Sequence, residues 1–293
     1  MNSSRSSRFC GRLSDGFFDL GLSDGFDFVI VVIVNSVGLQ SNLQELFARG
    51  AHYGYSRRRR HPSVNPYLYG FKNRTAIIDL EKSLLALAQA ENFLKTLAQS
   101  GGPASPNLGG TVLWVGTKPE ARESIAAAGP RLGLPYVITR WIGGTLTNFS
   151  EIKKRLARLK ELKEQSVSKE FERYTKQERG LFHKERERLE RAFSTISGLT
   201  ELPRALVVVD SAAEKIAVAE ARSLGLPIVA LAGTDCDIRL IDYPIVVNDA
   251  SVQSISWVVG RLVEAYEVGR AALIRDAESA AIPETVTVVN DKG

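Results

Sequence analysis

Arg140-Trp141-Ile142-Gly143-Gly144-Thr145-Leu146-Thr147-Asn148 is the stretch on which the chain turns. Before it the sequence has the pattern of strand, helix and strand. After it comes a long segment crowded with charge and helical in period. The Gly143-Gly144 pair permits a positive φ or a close approach of backbone to another surface. Asn148 is placed to cap the following helix, because its side-chain oxygen can accept an orphan N–H of the first turn. Taken alone, the stretch describes a rigid strand-to-helix corner pinned by Trp141. A functional surface is the competing reading, and the rest of the chain must decide.

Working upstream, Tyr136 to Thr139 has strand character, and a helix is expected from Gly116-Thr117-Lys118-Pro119 to about Gly129-Pro130. Thr111 to Val115 is continuously apolar, as a strand buried on both faces must be. Asp79 heads a helix to about Gln99 whose Leu80, Leu84, Leu87, Leu94 and Leu97 recur at helical spacing. Downstream, Ile152, Leu156, Leu159 and Leu162 repeat by three and four. A looser stripe follows through Phe171, Tyr174, Phe182, Leu189, Phe193 and Ile196. Two antiparallel helices packed along one seam satisfy both stripes, and their charge predicts that they protrude. The strand–helix alternation then resumes, with strands at Ala205 to Val209, Pro227 to Leu231 and Pro244 to Val247 and a closing helix from Ser251 to about Ile274.

The expected fold is therefore α/β: a Rossmann/flavodoxin-like three-layer domain with a mostly parallel sheet, plus a protruding antiparallel α-helical (coiled-coil) hairpin. Residues 1–39 form a variable extension and 40–148 the first part of the α/β domain with a basic N-terminal arm. Residues 149–198 are the hairpin, 199–275 the second part of the domain, and 276–293 a flexible tail.

Charge is unevenly placed. The 293 residues carry a formal net +5, yet Ser41 to Arg74 holds seven Lys/Arg against one acid, Glu45. Glu151 to Arg191 holds fourteen basic and nine acidic residues, so the remainder is net acidic. Two basic appendages on an acidic body indicate a polyanionic partner. In the arm, Arg57, Arg58, Arg59 and Arg60 stand among Tyr53, Tyr55, Tyr67 and Tyr69, offering cations for phosphates and planar faces for stacking or packing. Its prolines and glycines suggest an extended segment rather than a long helix or a central strand.

Enzymatic motifs are missing. Val115-Gly116-Thr117-Lys118 lacks the GxxxxGK[ST] spacing of a phosphate loop, and no GxGxxG follows a strand. His52, His61 and His183 are scattered, which argues against a triad or a metal site. Cys10 and Cys236 form no disulfide framework. The apolar run Phe28 to Val34 is too short to span a bilayer. A doubly wound nucleotide-binding protein or enzyme is still an alternative by architecture, using Asp210, Asp235 and Asp237 after strand C-termini.

Several motifs together resemble one family, the second protein of the bacterial-type small ribosomal subunit. They run in order through Gly50-Ala51-His52-Tyr53-Gly54, Pro66-Tyr67-Leu68-Tyr69-Gly70, Ile77-Ile78-Asp79-Leu80-Glu81-Lys82, Val115-Gly116-Thr117-Lys118 and the opening stretch. Asp210, Glu214, Ala219-Glu220-Ala221, Leu224-Gly225-Leu226-Pro227 and Asn248-Asp249 complete the series, which covers about Leu39 to Leu273. Tyr55 departs from the family's usual His, Arg60-His61 from Trp-Asn, and Gly233 and Asp235 from Asp and Asn, which weakens any ion site around Asp235 to Asp237.

The resemblance implies a non-catalytic constituent of the small ribosomal subunit in the cytoplasm, an organellar ribosome being the alternative. Its implied partners are 16S-type rRNA and other small-subunit ribosomal proteins, including the first, with no cofactor, no metal, no membrane and no self-association. Expected RNA contacts are Arg57, Arg58, Arg59, Arg60, Lys72, Arg74 and Arg140, with Lys153, Lys154, Arg155 and Arg158 as a phosphate-facing row on the hairpin. Tyr53, Tyr67 and Trp141 are stacking or packing residues. Gly143, Gly144 and Asn148 set the hinge and cap.

Overall fold

The computed structural model describes residues 40–100, 110–167 and 174–281, with the side chains of Val167 and 276–281 excepted. The expected N-terminal extension, the hairpin turn with Phe171 and the last residues of the tail lie outside the described residues.

Five strands form the central sheet: β4 (Val112–Val115), β5 (Tyr136–Val137), β6 (Ala205–Val209), β7 (Ile228–Ala232) and β8 (Tyr243–Val246). Their spatial order is β5-β4-β6-β7-β8, and every pairing is parallel. Numbered within the sheet this is 2-1-3-4-5, the flavodoxin-like doubly wound order. Every residue of β4, β6 and β7 is buried, which is why these strands are continuously apolar.

Alternate side chains serve two different layers. Val112, Trp114, Val207, Val209, Val229 and Leu231 pack in one cluster with helices α2 (Leu80–Gln99), α3 (Pro119–Leu132) and α7 (Val252–Ala281). Asp79 caps α2 through Oδ1, which accepts the N–H groups of Glu81 and Lys82. Leu113, Val115, Leu206, Val208, Ile228 and Ala230 face the other way, toward α6 (Lys215–Ser223) and the bases of α4 (Phe149–Val167) and α5 (Lys176–Phe193). Ile152, Leu159, Leu162, Leu189, Phe193 and Ile196 all belong to this second cluster. The hairpin stripe thus serves both as the seam between α4 and α5 and as part of the cover on the sheet. The two helices pack against each other, with Arg158 paired to Glu185 and Ser166 beside Arg186.

Two expectations need correction. The basic arm is not a plain extended segment. After helix α1 (40–48) it folds into an antiparallel sheet of β1 (Tyr53–Ser56), β2 (Leu68–Lys72) and β3 (Thr75–Ile78), in the order β1-β3-β2. Pro62 and Pro66 fall in a single 3-10 stretch, Pro62–Tyr67, between the strands, where their missing N–H groups break no ladder. Helix α3 also runs through Gly129-Pro130 to Leu132 and stops at Gly133, whose φ of +66° ends the helix. No helix among the described residues is long and apolar enough to cross a membrane.

Candidate nucleic-acid interface

The corner at 140–148 is held by a residue far away in sequence. Glu220, on the buried side of α6, accepts the indole N–H of Trp141 at 3.1 Å and the backbone N–H groups of Gly144 at 2.8 Å, Leu146 at 3.0 Å and Thr147 at 3.2 Å. The Thr147 hydroxyl adds a fifth bond at 3.3 Å. Burial pushes the Glu220 carboxyl up, but the donors together bring it below the ordinary carboxylate value. A buried carboxylate with five donors is satisfied, and an ion pair is not needed to keep it charged.

This arrangement separates the roles assigned to the corner. Trp141 is buried, as packing requires, and its N–H finds the partner that a buried indole needs. Gly144 has φ +86° and is a true conformational pivot, whereas Gly143 has no neighbour within 4 Å of an added Cβ and no positive φ. The hinge assignment is therefore corrected to Gly144 alone. Asn148 precedes α4, but its Oδ1 takes the Ser150 hydroxyl at 3.4 Å. Its carbonyl accepts the first-turn N–H groups of Glu151 at 3.2 Å and Ile152 at 3.4 Å, while Glu220 gathers those of Gly144, Leu146 and Thr147 before the helix. Arg140 is exposed at the mouth of the corner.

The C-terminal edge of the sheet, where doubly wound folds bind ligands, is filled by the chain's own side chains. Glu214 accepts the Thr117 N–H at 3.1 Å and the Thr117 hydroxyl, so a carboxylate already lies just before the N-terminus of α3. Lys118 Nζ reaches Asp249 at 2.6 Å, Asp210 at 3.2 Å and the Tyr55 hydroxyl at 3.2 Å. Burial opposes its charge, yet the two carboxylates hold the ammonium above the usual lysine value. Burial also raises the Asp249 carboxyl. The Asp210 carboxyl ends below its ordinary value because Lys118 and the Ala212 and Ala213 N–H groups outweigh its burial. Among the described residues no cluster of three or more His, Cys, Asp or Glu has a metal-holding arrangement. Asp237 is tied to Arg239 at 2.7 Å and Asp235 to Arg59 at 2.9 Å.

The small sheet docks on this edge. The Tyr55 N–H donates to Thr234 Oγ1 at 2.8 Å, and the His61 N–H to the Thr234 carbonyl at 2.9 Å. Gly54 allows the approach, since a Cβ there would lie 3.0 Å from Thr234 Oγ1 and closer still to its methyl. Arg59, though exposed, therefore pairs with Asp235 and lies over the Tyr55 ring at 4.1 Å. Arg57 and Arg60 lean on Phe71 at 5.3 and 5.6 Å, and Arg60 is half-buried. Arg57, Arg58, Lys72 and Arg74 are exposed and have no acidic partner among the described residues. Arg74 sits at φ +67° in the β2–β3 turn, where its carbonyl accepts the Arg57 N–H. Tyr53 is 52% exposed and tilts against His52, while Tyr67 packs against the Val64, Ile78 and Val246 cluster.

On the hairpin, Lys153 lies over the Phe149 ring at 5.1 Å and Lys154 contacts Glu151 at 2.7 Å. Arg158 makes two 3.3 Å bonds across the seam to Glu185 and a 3.4 Å contact to Glu161, so it braces the two helices. Arg155 is exposed, in no ion pair within 4 Å among the described residues, and near enough to Glu151 to help lower its carboxyl. Sequence reasoning missed the roles of Glu220, Glu214 and Lys118. One signal was present: Glu220 is an acid set into the small, buried face formed by Ala217, Val218 and Ala221.

A flavodoxin-order domain with a self-filled crevice, a basic docked sheet and a charged helical hairpin defines a scaffold class rather than a ligand-binding one. The comparisons agree. The family described as "Ribosomal protein S2" matches residues 46–269, and the chain belongs to that family. It is 42% identical over 232 residues to "Small ribosomal subunit protein uS2" of Acidothermus cellulolyticus, covering 78% of this chain and 81% of the relative. Proteins of the same name from Corynebacterium urealyticum and Chlorobium luteolum are each 39% identical, covering 78% of this chain and 83% and 87% of theirs. The family is one of structural ribosomal proteins, not of enzymes.

Proposed function

We propose that the chain is a structural constituent of the small ribosomal subunit in translation, working in the cytoplasm. It binds 16S-type rRNA and neighbouring small-subunit proteins, including the first. The observation that carries this reading is the family membership joined to the exposed cations of the docked sheet, Arg57, Arg58, Lys72 and Arg74. Lys153, Lys154 and Arg155 on α4, with Arg140 at the corner, form the second contact. Arg59, Arg60 and Arg158 shape these surfaces by bracing them and do not lead the phosphate contacts.

The test is the salt dependence of binding to small-subunit rRNA. Replacing Arg57, Arg58, Lys72 and Arg74 by Gln should make the log–log slope shallower by roughly three, because each phosphate contact contributes about 0.7 to 0.9. Co-sedimentation of the variant with small subunits should fall in parallel. An unchanged slope with unchanged co-sedimentation would remove the arm from the interface.

A further inference from the structure

The two long sides of the hairpin are unlike each other. On one side, Lys153, Lys160 and Lys163 border a hollow of about 470 Å3 with Leu156 and Leu199. Each of these lysines has a local partner: the Phe149 ring, Glu164 at 3.9 Å and Glu190 at 3.5 Å. On the other side, toward Ile142 of the corner, the helices border a groove of about 630 Å3. Leu189 and Phe193 supply apolar wall, and the Arg158–Glu185 pair crosses between the helices. Arg155 from α4 and Arg188 from α5 also line it, both exposed and neither in an ion pair within 4 Å among the described residues, although Arg155 lies near enough to Glu151 to help lower its carboxyl.

Two exposed guanidinium groups, carried by separate helices and held in no close ion pair, border one concave surface. A guanidinium presents a planar fork of donors that matches a phosphate and carries a weaker hydration shell than an ammonium. Apolar walls beside it limit competing water and strengthen the attraction. The lysine side offers point charges already engaged with neighbours, so phosphate binding there must first break existing contacts. Lys154 also lies on the guanidinium side, 73% exposed and paired with Glu151 at 2.7 Å.

We propose that the phosphodiester backbone of RNA seats in the groove bordered by Arg155 and Arg188, making Arg188 an RNA-binding residue and leaving Lys160 and Lys163, on the other side of the hairpin, outside the RNA interface. This rests on the rRNA-binding reading above and sharpens it at the hairpin. The Arg158–Glu185 pair braces the two helices beside the groove.

The experiment uses the full chain and small-subunit rRNA, with affinities measured across about 50 to 200 mM salt, the range over which counterion release dominates. Arg155→Gln with Arg188→Gln should make the log–log slope shallower by roughly 1.5, two contacts' worth. Lys160→Gln with Lys163→Gln should leave it within experimental scatter. All four positions are exposed, and circular dichroism and the unfolding midpoint check that the fold is kept.

An unaltered slope in the arginine pair, or a loss confined to the lysine pair, would overturn the assignment of the groove. Loss of subunit association with an unaltered rRNA slope would also overturn it, since the groove would then hold a protein. A wild-type chain with no salt-dependent rRNA binding would instead refute the function itself.

Discussion

Removing the Glu220 carboxylate tests how the hairpin is aimed. In Glu220→Ala the Trp141 indole N–H and the Gly144, Leu146 and Thr147 backbone donors lose their acceptor together, along with the Thr147 hydroxyl. Each buried donor left unmade costs about 1 to 3 kcal/mol, although water entering the emptied site recovers part of this. With Gly144 half-buried and Thr147 exposed, a loss of about 3 to 5 kcal/mol is expected, in the range for breaking a buried charged network. Urea unfolding at neutral pH measures it, and amide hydrogen exchange localises it. Gly144, Leu146 and Thr147 should lose protection well before the amides of β6.

Acid titration gives the same test a sign. The Glu220 carboxyl lies lower in the folded chain than in the unfolded one. Its stabilisation is therefore fully present above the ordinary carboxylate value, and it is lost as pH falls through the depressed folded value. Glu220→Gln should remove this acid-sensitive portion and leave a flatter curve. A Glu220→Ala loss below about 0.5 kcal/mol, the level of an ordinary surface change, with unaltered exchange at the three amides, would refute the anchoring role.

Other outcomes follow from the same geometry. Gly144→Val, at φ +86°, should cost at least about 1 to 2 kcal/mol and reduce co-sedimentation with small subunits. Gly143→Val, in open space, should stay within about 0.5 kcal/mol in the same unfolding assay. Lys118→Met strands the Asp210 and Asp249 carboxylates and should destabilise the chain by about 3 to 5 kcal/mol on urea unfolding. Cys236 is fully buried with its thiol pushed up to about 12, so in a Cys10→Ser background thiol reagents at pH 8 should label the native chain hardly at all and the unfolded chain completely.

Strands β4, β6 and β7 were legible because burial on both faces forces unbroken apolar runs. Helix α2 was legible from its leucine stripe and its Asp79 cap. The small sheet was not, because β1 and β2 are short, contain Gly54 and Gly70, and are largely exposed. With no buried face they lack the alternation that marks a strand. The corner was legible as a corner, but its anchor lies 76 residues away on another helix. Local spacing cannot pair Gly144 with Glu220. The same limit hid the Lys118 cluster, which joins the arm to three loops of the sheet's C-terminal edge. Among the cations, sequence could name which exist, but only tertiary contacts separate Arg58, which is exposed and unpaired, from Arg59, which braces Asp235.

The placement of the hairpin between β4 and β6 also bears on how the chain folds. These neighbouring strands pair Val112 with Ala205, so about ninety residues must be closed into a loop before the central ladder can form. Helices α4 and α5 need only local contacts to meet, and once joined they shorten that loop to about half its length. Halving a loop saves about 0.6 kcal/mol of closure entropy, roughly a threefold gain in the rate of the slowest long-range pairing. Excising the hairpin would bring the strands closer in sequence still, but it would strip the apolar cover contributed by Ile152, Leu159 and Phe193 from one face of the sheet. The root of the appendage should therefore unfold together with the body.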